Sequence, residues 1–414
     1  MEKVLSALSL SDKDRQFIEP YWLESESYEH DVKFLSRNFI EKYFSLFSDD
    51  RKFYEQLCRT AGLINNNPVL KRLIEHARYR LCFSDDTAFS EWPELESSLG
   101  KDCGIFYLLV GISAIPEIFK TFKRLGIPES MAADCSKWLN GCIGIYRSSH
   151  DGNAGMCKRQ LHWVRHYING ILFRIGRLEF MNQTLPEYYN VNVWRSKNNG
   201  MSVAFLKDGI KINKDGYVMY EDDDPEIFAF ENRLSIEGKK LTGNPCLPSG
   251  TVSPETVTLD LNEWEPVIYK DCFIPGVHIP GGGRMTLEAC KESFTKAEEF
   301  YKCYFPEKKL FGFICASWIF YPEFEKRLPE SNLAALMREL YLFPCGVSGR
   351  RHGLFFLFGR DDGDLKDYPR DNSVRRAMME IADEGKPLRC GAMFILPQDI
   401  PKFGEQFYRN NFPF

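Results

Sequence analysis

The residues of this 414-residue sequence with the most chemical content are contiguous: Val277-His278-Ile279-Pro280-Gly281-Gly282-Gly283-Arg284-Met285-Thr286. Val277-His278-Ile279 reads as a short strand, and a helix follows Thr286. Leu287, Cys290, Phe294, Ala297, Tyr301 and Tyr304 line one face of that helix, with Glu292–Lys296 and Glu298–Lys302 pairs on the other. Thr286 is a good N-cap. A strand, three glycines and a helix N-terminus gather bare backbone N–H groups and the positive end of the helix dipole at one point. Anions, and pyrophosphates in particular, are held this way. Glycine permits positive φ and a close approach of ligand atoms. Arg284 adds a cation, whereas Glu288 already places an anion in the first turn. The competing reading is a Pro-Gly turn without a ligand. His278, beside the loop, titrates near neutrality and is either a base or a structural hydrogen-bonding residue.

Other chemistries find less support. Neither G-x-G-x-x-G nor G-x-x-x-x-G-K-[ST] occurs in the loop. His162 and His166 stand four apart on an expected helix, but the metalloprotease Glu between them and an obvious third ligand are missing, so no metal is expected. Gly346-Val347-Ser348-Gly349 lacks the Gly-x-Ser-x-Gly spacing of a serine nucleophile. Arg165, Arg174 and Arg177, on the same expected helix, either meet a phosphate or form a solvated face.

The elements that must carry these residues fall into two blocks. Residues 1–156 read as all-α: periodic segments run from Asp31 to Phe47, from Asn66 to Leu81, from Cys103 to Leu125 and from Glu129 to Tyr146. Residues 157–414 open with a long helix expected from Arg159 to Met181. Short strands follow at Val191 to Trp194, Met201 to Leu206 and Ile210 to Ile212. From Val267 onward, strands at Val277, Phe311 to Phe320, Leu354 to Phe358 and Ala392 to Leu396 alternate with helices at Thr286 to Tyr304, Ser331 to Leu340 and Ser373 to Asp383. The fold class expected is α+β, a helical domain followed by an α/β domain.

Composition narrows the function classes. With 53 Lys+Arg against 58 Asp+Glu, the net charge of −5 argues against a nucleic-acid binder. A mean hydropathy of −0.34 argues against a membrane-spanning chain, and the longest apolar run, about Gly104 to Phe119, falls short of a span. Thirteen scattered cysteines, with no C-x-x-C, suit neither a disulfide scaffold nor a zinc ribbon. Together with an N-terminus that has no signal-peptide core, they point to the cytoplasm.

Gly126-Ile127-Pro128-Glu129-Ser130, Leu161-His162-Trp163, Phe173 through Phe180, Gly276 through Pro280, Cys315-Ala316-Ser317-Trp318 and Leu328 through Asn332 resemble a bacterial family of acyltransferase domain-containing proteins. That family joins a helical N-acyltransferase N-terminal domain to a GNAT-like C-terminal domain with a mixed central sheet. The resemblance spans about Gly126 to Leu340 and extends toward both ends. It implies acyl-CoA or acetyl-CoA as co-substrate and a small-molecule or peptide amine as acceptor, and it is compatible with an oligomer. Val277, Ile279, Gly281, Gly282, Gly283, Arg284, Met285 and Thr286 would then hold the cofactor, and the strand from Phe311 to Phe320 would splay away to admit the pantetheine. The catalytic candidates are then His278 as base, from its place beside the loop, Ser317, late in the splayed strand, either to orient substrate or pantetheine or as a structural residue, and Tyr341 as the nearest tyrosine to the thiolate-protonating position that the resemblance implies. That position itself is Glu339, and the usual Arg/Gln-x-x-Gly-x-Gly/Ala loop is replaced by Ile-Pro-Gly-Gly-Gly-Arg. Both departures keep a second reading open: a GNAT-like binding or regulatory protein without catalysis.

Overall fold

The N-terminal helices begin where short polar side chains take up free backbone N–H groups. In the computed structural model, which describes residues 1–29, 33–85 and 89–414, Asn67 Oδ1 accepts from the N–H groups of Val69 and Leu70, and Pro68–Phe83 starts there with its proline at the first position. Asp50 caps Arg51–Asn66 in the same way. The segment expected from Asp31 is helical over Arg37–Phe44; Asp31 and Val32 lie outside the described residues. Cys103 to Leu125 is not one helix but two, Cys103–Ser113 and Ile115–Arg124, because Pro116 cannot continue the hydrogen-bond ladder. Glu129 to Tyr146 likewise divides into Glu129–Ser136 and Trp138–Ser149. The stretch Glu96–Arg124 is apolar enough to cross a membrane by length and composition, yet 89% of its most apolar window is buried inside the protein. It serves as core.

His76 is sealed in that core, its ring nitrogens 2.7 Å from Ser25 Oγ and 2.7 Å from the Ile18 carbonyl. Burial pushes its pKa down from 6.5 to about 3. An unfolded chain restores the ordinary value, so between these two values the unfolded state binds the extra proton and stability falls as the pH falls. Thermal melts at about pH 7, 5 and 4 should show the wild-type Tm dropping more steeply with acid than that of His76→Gln. Parallel curves would remove His76 from the acid response.

The expected helix from Arg159 to Met181 is the largest departure. It ends as Leu161–Ile168, where Gly170 takes a positive φ of 67°. A β-hairpin follows: β1 (Leu172–Ile175), a two-residue turn of Gly176 and Arg177, and β2 (Leu178–Met181). The apolar spacing of Ile171, Ile175 and Leu178 suits a helix as well as a strand pair, and the two glycines decide it. Contacts divide the described chain into two compact units, Met1–Arg174 with Pro280–Gly282, and Ile175–Ile279 with Gly283–Phe414. The first extends past the expected break near residue 156 and takes in Leu161–Ile168.

The central sheet has six strands in the order β1-β2-β3-β4-β6-β5, with β3 at Gly276–His278, β4 at Phe313–Ser317, β5 at Tyr341–Ser348 and β6 at Arg389–Ile395. β3 and β4 are parallel, joined by the helix Leu287–Tyr304, and their neighbours run antiparallel. The sheet is therefore mixed, as expected. An aromatic seam holds that helix to it: Phe294 lies 6.0 Å from Phe180 and 5.7 Å from Phe313, and Phe180 lies 5.1 Å from Phe313. A five-stranded antiparallel sheet includes the expected strands at Val191–Ser196 and Ser202–Leu206.

Two expectations in the last hundred residues fail together. Tyr341–Ser348 forms a strand that the apolar pattern does not announce, and Leu354 to Phe358 is not a strand but the end of the helix Arg350–Phe358. Leu354, Phe355 and Phe358 are buried while Phe356 is exposed, a helical spacing that so short an apolar run hides.

Candidate active site

The pairing of β3 with its neighbours sets the site. Toward β2 it is in register throughout, with Gly276 opposite Met181, Val277 opposite Phe180 and His278 opposite Glu179. Toward β4 it is paired at Gly276 and Ile314, with Ile314 N–H donating to the Pro275 carbonyl at 3.1 Å. Beyond that point β4 continues through Ser317 paired with β6 alone. The two parallel strands part after this bridge.

The glycine loop leaves from this parting. Gly282 and Gly283 take positive φ values of 80° and 74°, which a side chain would strain, and Gly281 to Arg284 are exposed. Thr286 caps the next helix, accepting from the Ala289 N–H at 3.3 Å. Arg177, in the β1–β2 turn, comes to the same place: a Cβ on Gly283 would stand 3.7 Å from its Nε, and its backbone N–H donates to Ser293 Oγ at 2.8 Å. Its positive charge also opposes the burial that pushes the Cys290 thiol up to about 11. Gly283, a helix N-terminus and a guanidinium thus lie near one another within one unit, a grouping of the kind that attracts anions. Arg177 looked like a helix-face residue in the sequence, and only the hairpin brings it here.

The other expected residues separate. His278 is half-buried at the end of β3. Val277 is buried and pairs with Phe180 on the side of the long helix, so it can offer a ligand only its backbone. Ile279, Met285 and Thr286 are half-buried along the loop, and Arg284 is exposed. Ser317 is half-buried at the end of β4. Strand alternation puts His278 on the face of Ile314 and Ala316, and Ser317 on the opposite face with Phe313 and Cys315. His278 and Ser317 therefore do not share a face.

Tyr341 corrects an expectation. It opens β5 rather than lying on a helix, is fully buried, and its hydroxyl donates to the Cys246 carbonyl at 2.5 Å while accepting from the Ala204 N–H at 3.1 Å. Burial drives its pKa far up. It is a structural tyrosine that ties β5 to two other strands. Tyr188 is the contrasting case: it is half-exposed, stacked at 4.6 Å on Tyr189, and Tyr189 packs on Phe343, which pairs with Ala392, itself paired with Ala316 on the His278 face. Tyr341→Phe should cost about 1–3 kcal/mol of stability and leave turnover unchanged, because two buried backbone groups lose their partner. Equal stability with lost turnover would restore Tyr341 as an acid.

His162 and His166 stack edge to face at 5.2 Å, and burial with the neighbouring imidazole pushes His166 down to about 4. Among the described residues no three His, Cys, Asp or Glu side chains form a group that could hold a metal ion. Arg165 donates to the carbonyls of Arg80 and Leu81 and is occupied in the helical unit.

A mixed sheet whose parallel strands part beside a glycine loop and a helix N-terminus defines the class, and the sequence agrees: the profile of the GNAT-like C-terminal domain matches residues 172–393, more than half of the chain. The chain belongs to that family. Its fold is also that of solved acyltransferases. One is a mutant acyltransferase in complex with octanoyl-CoA, at 20% identity over 95% of this chain and 98% of that one, with a TM-score of 0.61. Two others are acyltransferases in complex with decanoyl-CoA and teicoplanin and with CoA and 10C-teicoplanin, each at 19% identity, with the same coverage and TM-score. No curated protein matches the sequence.

Proposed function

We propose that the chain is an acyl-CoA-dependent N-acyltransferase of the GNAT type, acting in the cytoplasm on a small-molecule or peptide amine. The observation that carries this reading is the parting of β3 and β4 next to the glycine loop. The backbone past that parting can pair with the amides of pantetheine as it would with another strand. Gly281 to Gly283, the N-terminus of Leu287–Tyr304 and Arg177 would hold the pyrophosphate. The local arrangement matters because the chain as a whole is slightly acidic and offers no basic field.

Acyl-CoA supplies a thioester carbonyl. His278 takes the proton that the amine nitrogen sheds as the C–N bond forms and the C–S bond breaks, and the departing thiolate takes one from an acid. Tyr188 is the tyrosine proposed for that donation. A backbone N–H just past β3, where the chain leaves the strand at Ile279, would polarise the carbonyl.

Binding is the first test. Acetyl-, octanoyl- and decanoyl-CoA, at about a hundredfold excess over Kd, should each stabilise the folded state by about 2.7 kcal/mol if they bind it alone. The acyl chains of the solved relatives put octanoyl and decanoyl first, with teicoplanin in the acceptor panel. Gly282→Val should weaken binding at least tenfold with the fold kept, since a β-branched residue resists a positive φ. No stabilisation by any CoA species would end the reading.

The alternative is a GNAT-like protein that binds acyl-CoA without catalysis, favoured by the burial of Tyr341. Binding without thioester consumption across the amine panel selects it.

A further inference from the structure

We propose that a second cavity, lined from the helices Pro322–Arg327, Asn332–Glu339 and Phe407–Asn410, binds a small organic oxyanion, a phosphate monoester or a carboxylate, through Arg338 and Arg409. The proposal does not depend on the acyl-CoA reading. The cavity measures about 350 Å³ and lies wholly within the second compact unit. That volume is near the lower end of the range of about 300–1,000 Å³ in which small molecules are held.

The charges lining it do not balance. Arg409 meets Glu325 with both ends of its fork, Nη1 donating to Oε1 at 2.7 Å and Nη2 to Oε2 at 2.6 Å. Arg338 Nε donates to the same Oε1 at 3.1 Å. One carboxylate therefore answers two cations, and among the described residues neither guanidinium has another carboxylate within ion-pair distance. Lys326, exposed in the lining, pairs with Glu323 at 2.7 Å, so it adds donors without changing the imbalance.

Acceptors are short as well. Arg338 Nη2 donates to the Pro329 carbonyl at 2.8 Å, and Arg409 Nε is buried with no hydrogen-bond partner among the described residues. Part-buried donors of this kind have given up water without gaining an acceptor in exchange. A planar guanidinium fork matches the oxygens of a carboxylate or a phosphate, and the uncompensated positive charge excludes a metal ion or an ammonium. Pro322 and Pro329 give ring surface for a short carbon body, and Ser249 a hydroxyl. Ser249 is itself bridged by its backbone to Leu342 of β5, and Pro322 follows the turn Trp318–Phe320 that leads out of β4. A bound oxyanion would tie these segments to Phe407–Asn410.

The test uses the full chain in low-salt buffer, with glycerol phosphate, succinate and inorganic phosphate as probes and chloride at matched ionic strength as the control. At least one probe should bind saturably by calorimetry, with a Kd of about 1 mM or tighter, and raise the Tm above the chloride value. Tighter binding of glycerol phosphate than of succinate identifies a phosphate ester as the ligand, and the reverse order a carboxylate. Arg338→Gln and Lys326→Glu should each weaken the preferred probe by about tenfold, whereas Gly282→Val in the glycine loop should leave it unchanged. No saturable binding beyond chloride overturns the proposal, as does unchanged affinity in folded Arg338→Gln. Binding that survives Lys326→Glu but is lost in Gly282→Val overturns it too, by moving the anion to the loop. If Arg338→Gln does not fold, Lys326→Glu decides alone, because that side chain is exposed and Glu323 keeps Arg327 and Lys386 as partners. Acyl-CoA affinity should be the same in Lys326→Glu and wild type, so either reading can fail without the other.

Discussion

An enzyme carrying His278→Gln should turn over about 10²- to 10⁴-fold more slowly than wild type while binding acyl-CoA as tightly, the loss expected when a positioned general base is removed. The split follows from where the residue sits. His278 lies at the end of β3, past the last pairing of that strand with β4, and the proposed reading makes it the base for the amine rather than a contact of the phosphates. The proposed phosphate contacts lie elsewhere, on the loop and at Arg177. Glutamine keeps the bulk and one hydrogen-bonding capacity but cannot take a proton near neutrality. Steady-state kinetics at saturating acyl-CoA, with binding measured separately, reads both quantities. A kcat within twofold of wild type would remove His278 from the chemistry, and a matching loss of acyl-CoA affinity would make it a binding residue.

The second large effect is on the fold. Gly391 lies in β6, in register with Ser317 on β4 and Pro344 on β5, and the turn Trp318–Phe320 crosses directly over it. A Cβ there would stand 2.0 Å from the Phe320 carbonyl oxygen, 2.5 Å from its carbon and 3.1 Å from the Tyr321 nitrogen. These are backbone atoms, so no side chain can swing aside, and both Phe320 and Tyr321 are buried. Gly391→Ala should therefore destabilise by about 3 kcal/mol, the upper end of ordinary overpacking. The corresponding fall in Tm is roughly 6–12 °C for a domain of this size. Because the displaced turn leads out of β4, any activity that remains should fall with it. Gly62→Ala is the control: a Cβ meets nothing within 4 Å there, and the helical position should gain up to about 1 kcal/mol. Equal melts for the Gly391 variant and wild type would show that the turn yields freely.

Much of the fold was legible where a signal spans a few residues. Asn67-Pro68 began its helix, Thr286 capped Leu287–Tyr304, and Ser373–Asp383 ran as read. The failures share a cause. Ile171, Ile175 and Leu178 fit a helix or a hairpin equally, and Leu354 to Phe358 is too short for its period to show. In both places, what lies across from the segment chose the structure. The candidate site divides in the same way: the glycine loop is local and was visible, whereas Arg177 reached it only because a turn replaced an expected helix.

The strand, glycine loop and capped helix from Val277 to Tyr304 were written in adjacent residues, because backbone propensity and capping act within about one helical turn. The order of a helical block before an α/β block and the glycine-rich character of the loop come from the same local rules. Register is different. Glu179 and His278 stand about a hundred residues apart and meet because one strand pair has that alignment and no other; a slip of one residue would send both to the opposite face. The parting of β3 from β4 and the burial of the Tyr341 hydroxyl also depend on distant pairings, with β6, Cys246 and Ala204. Such alignments are set by which apolar faces bury together, a property of the whole packed sheet that no short window of residues contains.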